Sequence, residues 1–460
     1  MTRRAASGKE PIEEPEEIKP LVIPEGQHPV REQDIEQEAL KVLYRLRDAG
    51  YSGYLVGGGV RDIYLGNRPK DFDISTNARP GQLRKLFRNS RTIGRRFRLV
   101  QVFFRGNKII EVSTLRSRSE YDINDPDKVL PSNNTFGTLQ EDAFRRDLTI
   151  NSLFYEIENK TIIDYAGGVQ DLDNGIIRIV GEPNRRITRD PVRMLRAIRH
   201  AARNDFAIEP ETWKAIVKHR HKIDLCPPSR IRDELLKDLH TGNSRAWAEI
   251  ALKSGIFTTL FPFYGELLAG KDGKAVKKEL LAILAVLDRL YGEDVKEGKV
   301  VIADHMLFAS LLFPWADRHF ELTRQELKGP GYHHLSKAIR AELDDVFSHR
   351  LNLKRMAKDA ITTLFVNMPG FQKHQKNKSW PAWLRRKSYF FDCSRFYALY
   401  QEASGRESMD VSQFVDKTVE SKPPLRERKR GSGAGRRGGR RGTNPAFAAD
   451  KKGVFGLLKG

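Results

Sequence analysis

The stretch YLVGGGVRDIYLGNRPKDFDIST constrains the fold more than any other part of the chain. Its apolar start, Tyr54–Val56, predicts a short strand, and three glycines follow directly. Val60–Leu65 has helical spacing, and Asp71–Ser75 predicts a second strand. A turn without side chains, placed between a strand and a helix N-terminus, lets backbone N–H groups approach an anion. We therefore expect a mixed α/β fold with an anion site at this turn.

Asp71 and Asp73 form an acidic pair close to the glycine turn. In an extended strand residues i and i+2 share a face, so the two carboxylates converge while Phe72 points to the core. Such a pair beside a phosphate-binding turn is typical of a Mg²⁺ or Mn²⁺ site that is completed by triphosphate oxygens. Arg61, one turn into the helix, adds a charged fork. The sequence contains no G-x-x-x-x-G-K-[ST] motif, which argues against a P-loop NTPase.

Hydrophobic patterning divides the chain into a mixed part and a helical part. Strand and helix patterns alternate as far as about Gly181, and from Asp190 onward the pattern is almost wholly helical. This predicts an α/β head followed by an all-α neck and body. The predicted segments are a flexible N-terminal segment at 1–30, a catalytic head at 31–182, a neck at 183–245, a body at 246–420 and a disordered basic tail at 421–460.

Basic residues are in excess, with 81 Lys and Arg against 60 Asp and Glu and a net charge of +21. The last forty residues hold twelve bases and two acids, a net +10, in an Arg/Gly-rich tract that can bury almost nothing apolar. Such a tail attracts phosphate backbones through counterion release. A second block, between Asp73 and Glu111, has no acid and alternates its bases with core-type residues. We predict that this folded block faces phosphates; its bases include Arg84, Lys85, Arg88, Arg91, Arg95, Arg96, Arg98 and Arg105.

Two cysteines, Cys226 and Cys393, are too few for a disulfide framework or a four-ligand zinc site. The N-terminal segment lacks the apolar region of a signal peptide, and no apolar run reaches 18 residues. We therefore expect a cytoplasmic protein that has no membrane partner and binds a polyanion.

Four motifs in order resemble those of a known family. The stretch around the glycine turn and the acidic pair is similar to the first signature of the class II nucleotidyltransferases of the DNA polymerase β superfamily. This family includes bacterial poly(A) polymerases and CCA-adding tRNA nucleotidyltransferases. Arg145–Asn151 resembles its RRDxTIN motif, Asp164–Leu172 its DxxGGxxDL segment, and Arg189–Arg199 its EDPxRxLRxxR motif. The resemblance covers about residues 54–202 and implies a polymerase β-like sheet in the head.

The resemblance also implies roles for individual residues. Asp71 and Asp73 are implied to hold the metal ions, and Asp147 is implied to be the next catalytic carboxylate. Glu111, on a predicted strand, is the rival for this third position. Arg146 is implied to contact the nucleotide, and Asn151 to lie near the ribose. The full set of implied nucleotide-binding residues is Gly57, Gly58, Arg61, Arg146, Asn151, Asp190, Arg193 and Arg196.

The EDPxRxLRxxR motif carries one departure from the family pattern. Asp190 and Arg193 are implied to hydrogen-bond the base edge, and helical spacing gives these two residues and Arg196 one shared face. The family usually has Glu before the Asp, and this chain has Arg189. If that Glu orients the Arg fork, Arg193 must be oriented by other means here.

Local details favour the poly(A) polymerases within the family. These details are LFRNSRTIGRRFRLVQVFF, TINSLFY and the basic tail. The resemblance implies transfer of AMP from ATP to RNA 3′ ends without a template, with release of pyrophosphate and two-metal catalysis, in mRNA polyadenylation and RNA decay. A CCA-adding tRNA nucleotidyltransferase is the alternative. An RNA-binding protein with an inactive head is disfavoured because Asp71 and Asp73 are both present.

RNA 3′ ends are the expected partner. RNA-decay proteins are a candidate second class of partner, through the tail, and the protein is expected to be a monomer.

Overall fold

A mixed sheet organises the N-terminal part of the chain in the computed structural model, which describes residues 18–94, 98–117, 136–294, 302–348, 350–375 and 380–406. The strands are β1 (Leu21–Ile23), β2 (Gly53–Val56), β3 (Asp73–Thr76), β4 (Ser90–Ile93), β5 (Leu99–Phe103), β6 (Ile109–Thr114), β7 (Leu153–Glu156), β8 (Thr161–Asp164), β9 (Ile176–Ile177) and β10 (Ala207–Ile208).

Eight of these strands form one sheet in the order β1-β8-β7-β2-β3-β6-β5-β4. All neighbouring strands are antiparallel except β3 and β6, which pair in parallel. This pair lies inside the sheet. Its two strands can run parallel because the chain between them crosses over through a helix and the two strands at that edge. β9 and β10 form a separate parallel pair.

Five helices of the described residues belong to the sheet-containing head. They are α1 (Gln37–Asp48), α2 (Gly58–Tyr64), α3 (Pro80–Leu86), α4 (Leu139–Arg145) and α5 (Gly168–Asp173), with 3₁₀ turns at Glu32–Asp34, Arg105–Asn107 and Thr149–Asn151. α1 has an apolar stripe with helical period, and this stripe is buried against β2, β3 and β6. α3 packs against β4 and β5 on the flank of the sheet.

Helices dominate from Pro183 onward. They are α6 (Pro183–Arg189), α7 (Val192–Asn204), α8 (Pro210–His219), α9 (Pro228–Leu239), α10 (Ser244–Ser254), α11 (Ile256–Leu260), α12 (Phe263–Ala269), α13 (Gly273–Asp294), α14 (Asp304–Phe320), α15 (Gly331–Ser348), α16 (Arg355–Gln375), α17 (Ala382–Arg385) and α18 (Phe390–Ala403), with a 3₁₀ turn at Arg220–Leu225. Proline at the first helical position starts α6, α8 and α9, where its missing N–H costs nothing.

One continuous hydrophobic core runs from the sheet into the helical part. In the helical part this core is rich in aromatic rings, among them Phe257, Tyr264 and Phe313, which pack edge-to-face or tilted on their neighbours. The predicted domain boundaries at 182 and 245 stay predictions. The hydrophobic core continues across both positions and marks no boundary at either.

The predicted α/β head followed by a helical body is confirmed, with four differences in detail. Residues 1–30 are not flexible throughout, because Leu21–Ile23 pairs with β8 and extends the sheet. The strand predicted from Asp71 begins at Asp73. β4 was not predicted, and the neck is not all-α because β10 pairs with β9. The predicted tail at 421–460 and residues 1–17 lie outside the described residues.

No helix in the described ranges is both long enough and apolar enough to cross a bilayer.

Candidate active site

The glycine turn between β2 and α2 has a backbone that requires glycine. Gly57 has φ 66° and ψ −126°, and its carbonyl accepts a hydrogen bond from the Arg61 N–H at 3.1 Å, which starts α2. A Cβ atom at this position would lie 3.2 Å from Nη1 of Arg146 and 3.7 Å from the carbonyl oxygen of Asn151. Both the left-handed φ and this close approach exclude an ordinary side chain. The turn therefore packs directly on Arg146.

Strand register brings two acidic residues, Asp73 and Glu111, next to each other beside this turn. Asp73 is the first residue of β3 and pairs with Val56 of β2 on one side and with Glu111 of β6 on the other. Asp71 lies two residues earlier, and Phe72 between the two acids is buried in the core as predicted. Gln101 of β5 donates its side-chain amide to Oε1 of Glu111 at 2.9 Å. Glu111 is thus fixed next to Asp73.

The environment of Asp73 disfavours the charged form of its carboxylate. Although Asp73 keeps accessible surface, its pKa is raised to about 6, mainly because the surrounding protein displaces water and also because Glu111 and Asp71 are negatively charged, while Arg146 acts in the opposite direction. Acidic groups that repel one another in this way are stabilised by a bound cation. Among the described residues, no three His, Cys, Asp or Glu side chains form a complete cluster for a metal ion. Mg²⁺ does not need one, because it retains waters and shares ligands with substrate phosphates.

Arg146 is held between the acids and the glycine turn. Its guanidinium donates to Oδ2 of Asp142 at 2.8 Å, to Oγ of Ser75 at 3.3 Å and to the carbonyl of Asn151 at 3.3 Å. It also lies 5.0 Å from the ring centroid of Phe154. These contacts fix one positive charge beside Asp73, at the place where a phosphate could approach.

Arg61 lies in a buried network. It is 3% exposed, and its guanidinium donates to Oδ1 of Asp62 at 2.7 and 2.9 Å and to the side chain of Asn151, and also contacts His200. Burial lowers the pKa of Arg61, while Asp62 partly restores it. The predicted phosphate contact of Arg61 and the predicted ribose contact of Asn151 stay predictions. In the structure these side chains bind each other.

Asp147 contacts the neck arginines. Its Oδ2 accepts from Arg196 at 3.1 Å, and its Oδ1 accepts from Asn151 at 3.3 Å. Burial alone would raise the pKa of Asp147, but Arg196, Arg193 and His200 outweigh burial and hold this pKa well below its usual range. The catalytic role of Asp147 stays a prediction. By register, Glu111 is the carboxylate next to Asp73.

The neck residues that are predicted to contact the base have protein partners. Asp190 Oδ2 accepts a hydrogen bond from Nη2 of Arg230 on α9 at 3.0 Å, and Nη1 of the same guanidinium lies 2.8 Å from Oδ1. Arg193 donates to the carbonyl of Arg146 at 2.9 Å and lies 3.9 Å from Asp190. Arg196 joins Asp147 to Glu234, the latter at 3.0 Å.

Sequence reasoning missed Arg230. No local signal links it to Asp190, which lies forty residues earlier, and only the packing of α7 on α9 brings the two together.

The acid-free block lies along the far edge of the sheet. α3 carries Arg84 and Lys85, and β4 carries Arg91. β4 is three strands away from β3, so these bases do not surround the carboxylates directly. Arg95 and Arg96 lie outside the described residues.

Comparisons with known proteins identify the family of this chain. The family model "Poly A polymerase head domain" matches residues 53–178, and the model "Probable RNA and SrmB- binding site of polymerase A" matches residues 205–268. Poly(A) polymerase I of Salmonella typhi is 43% identical over 298 residues, which are 63% of this chain and 64% of that protein. The chain thus spans slightly less than two thirds of this relative.

Two further matches extend the comparison. Poly(A) polymerase I of Haemophilus influenzae is 34% identical over 313 residues, which are 66% of this chain and 68% of that protein. The crystal structure of the Bacillus stearothermophilus CCA-adding enzyme in complex with CTP shares the fold, with a TM-score of 0.59 at 22% identity over 82% of this chain and 80% of that one. The predicted family is confirmed: the chain belongs to the nucleotidyltransferase family of the poly(A) polymerases and CCA-adding enzymes, with poly(A) polymerase I among its relatives.

Proposed function

We propose that this protein is a poly(A) polymerase that transfers AMP from ATP to the 3′ hydroxyl of RNA without a template and releases pyrophosphate. The observation that carries the proposal is the register of Asp73 with Glu111, with Asp71 beside them and the Gly57 turn and Arg146 adjacent. This is an arrangement for phosphoryl transfer, in a chain that is 43% identical to a poly(A) polymerase I over 298 residues.

A divalent metal ion, Mg²⁺ or Mn²⁺, fits this set of donors. Asp71 and Asp73 would hold it, and Glu111 would supply the third carboxylate, since hard cations prefer carboxylate oxygens. The raised pKa of Asp73 supports this fit, because a cation relieves the repulsion among the three acids. When bound, the metal supplies charge neutralisation at the phosphates and lowers the pKa of the attacking hydroxyl.

The protein's own groups would position the nucleotide. The glycine turn at Gly57 and Gly58 lets its backbone lie close to the guanidinium groups of Arg146 and Arg61, and Arg146 offers a fixed positive charge for a phosphate beside Asp73. Asp190 and Arg193 of the neck present an acceptor and a donor of the type that reads a base edge. In-line attack then needs the RNA 3′ hydroxyl on the opposite side of the α-phosphate from the leaving pyrophosphate.

RNA is the proposed partner of the helical part. Support comes from the RNA-binding family model over residues 205–268 and from the net +10 of residues 421–460. Proteins of RNA decay are proposed as secondary partners of the tail.

CCA addition to tRNA is the second candidate function, because the fold is shared with a CCA-adding enzyme. The two functions differ in what is added and to which RNA. Purified protein is incubated with Mg²⁺, each single nucleotide and a generic RNA primer, and in parallel with tRNA lacking its 3′ end. Long A tails on the generic primer support the proposal, while addition of CCA to tRNA alone supports the second candidate.

Asp73→Ala is the control for the site itself. We expect at least a thousandfold loss of AMP incorporation, because a metal ligand is removed, with RNA affinity in a filter-binding assay unchanged. Incorporation at the wild-type rate by this variant would overturn the assignment of the acidic site.

A further inference from the structure

The face of the sheet that carries Asp73 is covered on one half and open on the other. On β2 and β7, Val56 and Phe154 are buried together with Ala143 of α4. On β6, β5 and β4, the residues that alternate with the core positions are half-buried or exposed. The core positions Val112 and Val100 belong to the same buried core as Leu83 of α3. Within the described ranges, the open half of this face therefore extends from Asp73 to the edge of the sheet.

A single row of polar residues crosses this open half. Asp73 pairs with Glu111, Glu111 with Gln101, and Gln101 with Arg91. Directly paired residues on adjacent strands project from the same face, and the 2.9 Å hydrogen bond from Gln101 to Glu111 shows this for the middle of the row. At a strand spacing of roughly 4.8 Å, Arg91 lies about 14 Å from Asp73.

Arg91 is a cation without a protein counter-charge in the described part of the chain. It is exposed on the edge strand β4. Neutral Gln101 separates it from Glu111, the nearest acid of the row, and no acid occurs in the sequence between Asp73 and Glu111. An exposed guanidinium of this kind is available to a phosphate.

The two sides of Asp73 therefore differ. The β2 side has the glycine turn and the fixed charge of Arg146, and under the proposed function it receives the nucleotide. The β6 side is an open surface that one polar row crosses between apolar residues, among them Leu99, Phe103 and Ile109, and this row ends at the exposed Arg91. The second substrate of the reaction is a polyanionic strand, and this surface is the remaining approach to Asp73 along the sheet.

We propose that the open face of β6, β5 and β4 is a subsite for the RNA strand that leads to the reacting 3′ end, with Arg91 bound to a backbone phosphate. This inference rests on the proposed function. The distance of about 14 Å corresponds to about four stacked nucleotides at 3.4 Å each. A primer shorter than this does not reach Arg91.

The test compares Arg91→Ala with Arg84→Ala in the full-length protein. Arg84 is also exposed and lies in the same acid-free block, but on α3 and not in the row. Incorporation of AMP is measured with oligoadenylate primers of about three and about fifteen nucleotides, lengths set by the stacking estimate, at several salt concentrations. Because Arg91 sits at an exposed edge, its loss leaves folding intact, which circular dichroism verifies.

For Arg91→Ala we expect KM for the long primer to rise about tenfold, as for the loss of one charged hydrogen bond, with KM for ATP and kcat unchanged. KM for the short primer stays at the wild-type value. The slope of log affinity against log salt becomes less steep by about 0.7, the value for one lost phosphate contact on a single strand. Arg84→Ala changes none of these.

Two results overturn the inference while the proposed function stands. One is an active wild type in which Arg91→Ala and Arg84→Ala behave alike. The other is a rise in KM for ATP with either primer, which assigns Arg91 to the nucleotide. A wild type that incorporates no AMP on any RNA contradicts the proposed function itself.

Discussion

Arg230 of α9 contacts Asp190, a residue that is predicted to hydrogen-bond the base edge. Its guanidinium donates one charge-assisted hydrogen bond to Oδ2 and lies 2.8 Å from Oδ1. The position that usually holds Glu in the family holds the buried Arg189 in this chain. Arg230 therefore fixes Asp190, and the carbonyl of Arg146 receives Arg193. The question of how Arg193 is oriented without the family Glu has an answer in these two contacts.

Glu111 and Asp147 are the two candidates for the third carboxylate, and single substitutions separate them. We expect Glu111→Gln to lower kcat at least a hundredfold with no change in thermal stability, because its partner across the row is the uncharged Gln101. We expect Asp147→Asn to lower the free energy of unfolding by about 2 kcal/mol, because Arg196 and Arg193 lose a partly buried counter-charge.

Steady-state incorporation of AMP and urea denaturation measure the two effects. If Asp147→Asn abolishes activity at unchanged stability while Glu111→Gln remains active, the third carboxylate is Asp147, as the family resemblance implies.

Under the proposed function, the nucleotide side of the site depends on the turn between β2 and α2. Two glycines of this segment have a φ in the left-handed region, Gly57 with φ 66° and Gly66 with φ 72°. A Cβ atom at Gly57 would press on Arg146, whereas a Cβ atom at Gly66 meets nothing within 4 Å. Alanine adds backbone strain at both positions, but only at Gly57 does it also press on Arg146. Comparing the two variants therefore separates backbone strain from displacement of Arg146.

We expect Gly57→Ala and Gly66→Ala each to cost about 1 kcal/mol of stability from the left-handed backbone. Only Gly57→Ala should also raise KM for ATP, by at least tenfold, because it displaces the charge beside Asp73. Thermal denaturation and AMP incorporation test this. Equal loss of activity in both variants would mean that strain alone, and not contact with Arg146, explains the need for glycine.

At the level of the elements, the sequence predicted the start of the head well. β2 and α2 lie close to their predicted positions because their apolar spacing is regular and glycines bound them. β7 and β8 were not predicted individually. β4 and β1 were missed because they are edge strands, SRTI and LVI, which are too short or too polar to show a pattern. β10 is two residues long and exists only because Ile176–Ile177 lies beside it.

On the scale of the whole molecule, a buried ionic network joins the first two long helices of the neck. Arg199 of α7 donates to Glu234 at 2.7 Å and to Asp238 at 3.0 Å, both on α9. Burial raises the pKa of Asp238 to about 8, while Arg199 lowers it and Glu234 raises it again. For Glu234, burial is outweighed by Arg196 and Arg199, so that its pKa falls to about 2.

This network predicts a pH-dependent stability. The pKa of Asp238 lies above its unfolded value of about 3.9, so between about pH 4 and pH 8 the folded state binds one proton more than the unfolded state. Stability from this group is therefore full below pH 4 and is lost as the pH rises through 8. Above about pH 5, Glu234 is ionised in both the folded and the unfolded state. It therefore adds no pH dependence to the free energy of unfolding there.

In the Asp238→Asn variant this side chain is neutral at every pH, as protonated Asp238 is. Relative to wild type, the variant should gain about 3 kcal/mol in the free energy of unfolding between about pH 5.5 and about pH 8.5. Denaturation at both pH values measures this, with the exposed Asp233→Asn on the same helix as the control. A difference from wild type that does not change with pH would contradict the raised pKa.

The sequence by itself determined the family, the α/β head with its helical continuation, and the acidic pair beside a glycine turn. These depend on local patterns, namely residue spacing within one strand and order along the chain. Tertiary structure decided the partners of those residues. The parallel pairing of β3 with β6 placed Glu111 next to Asp73, and the packing of α7 on α9 gave Asp190 to Arg230. The same register aligned Arg91 with the acids across four strands. Contacts between residues far apart in the chain follow from strand order and helix packing, which no local pattern encodes.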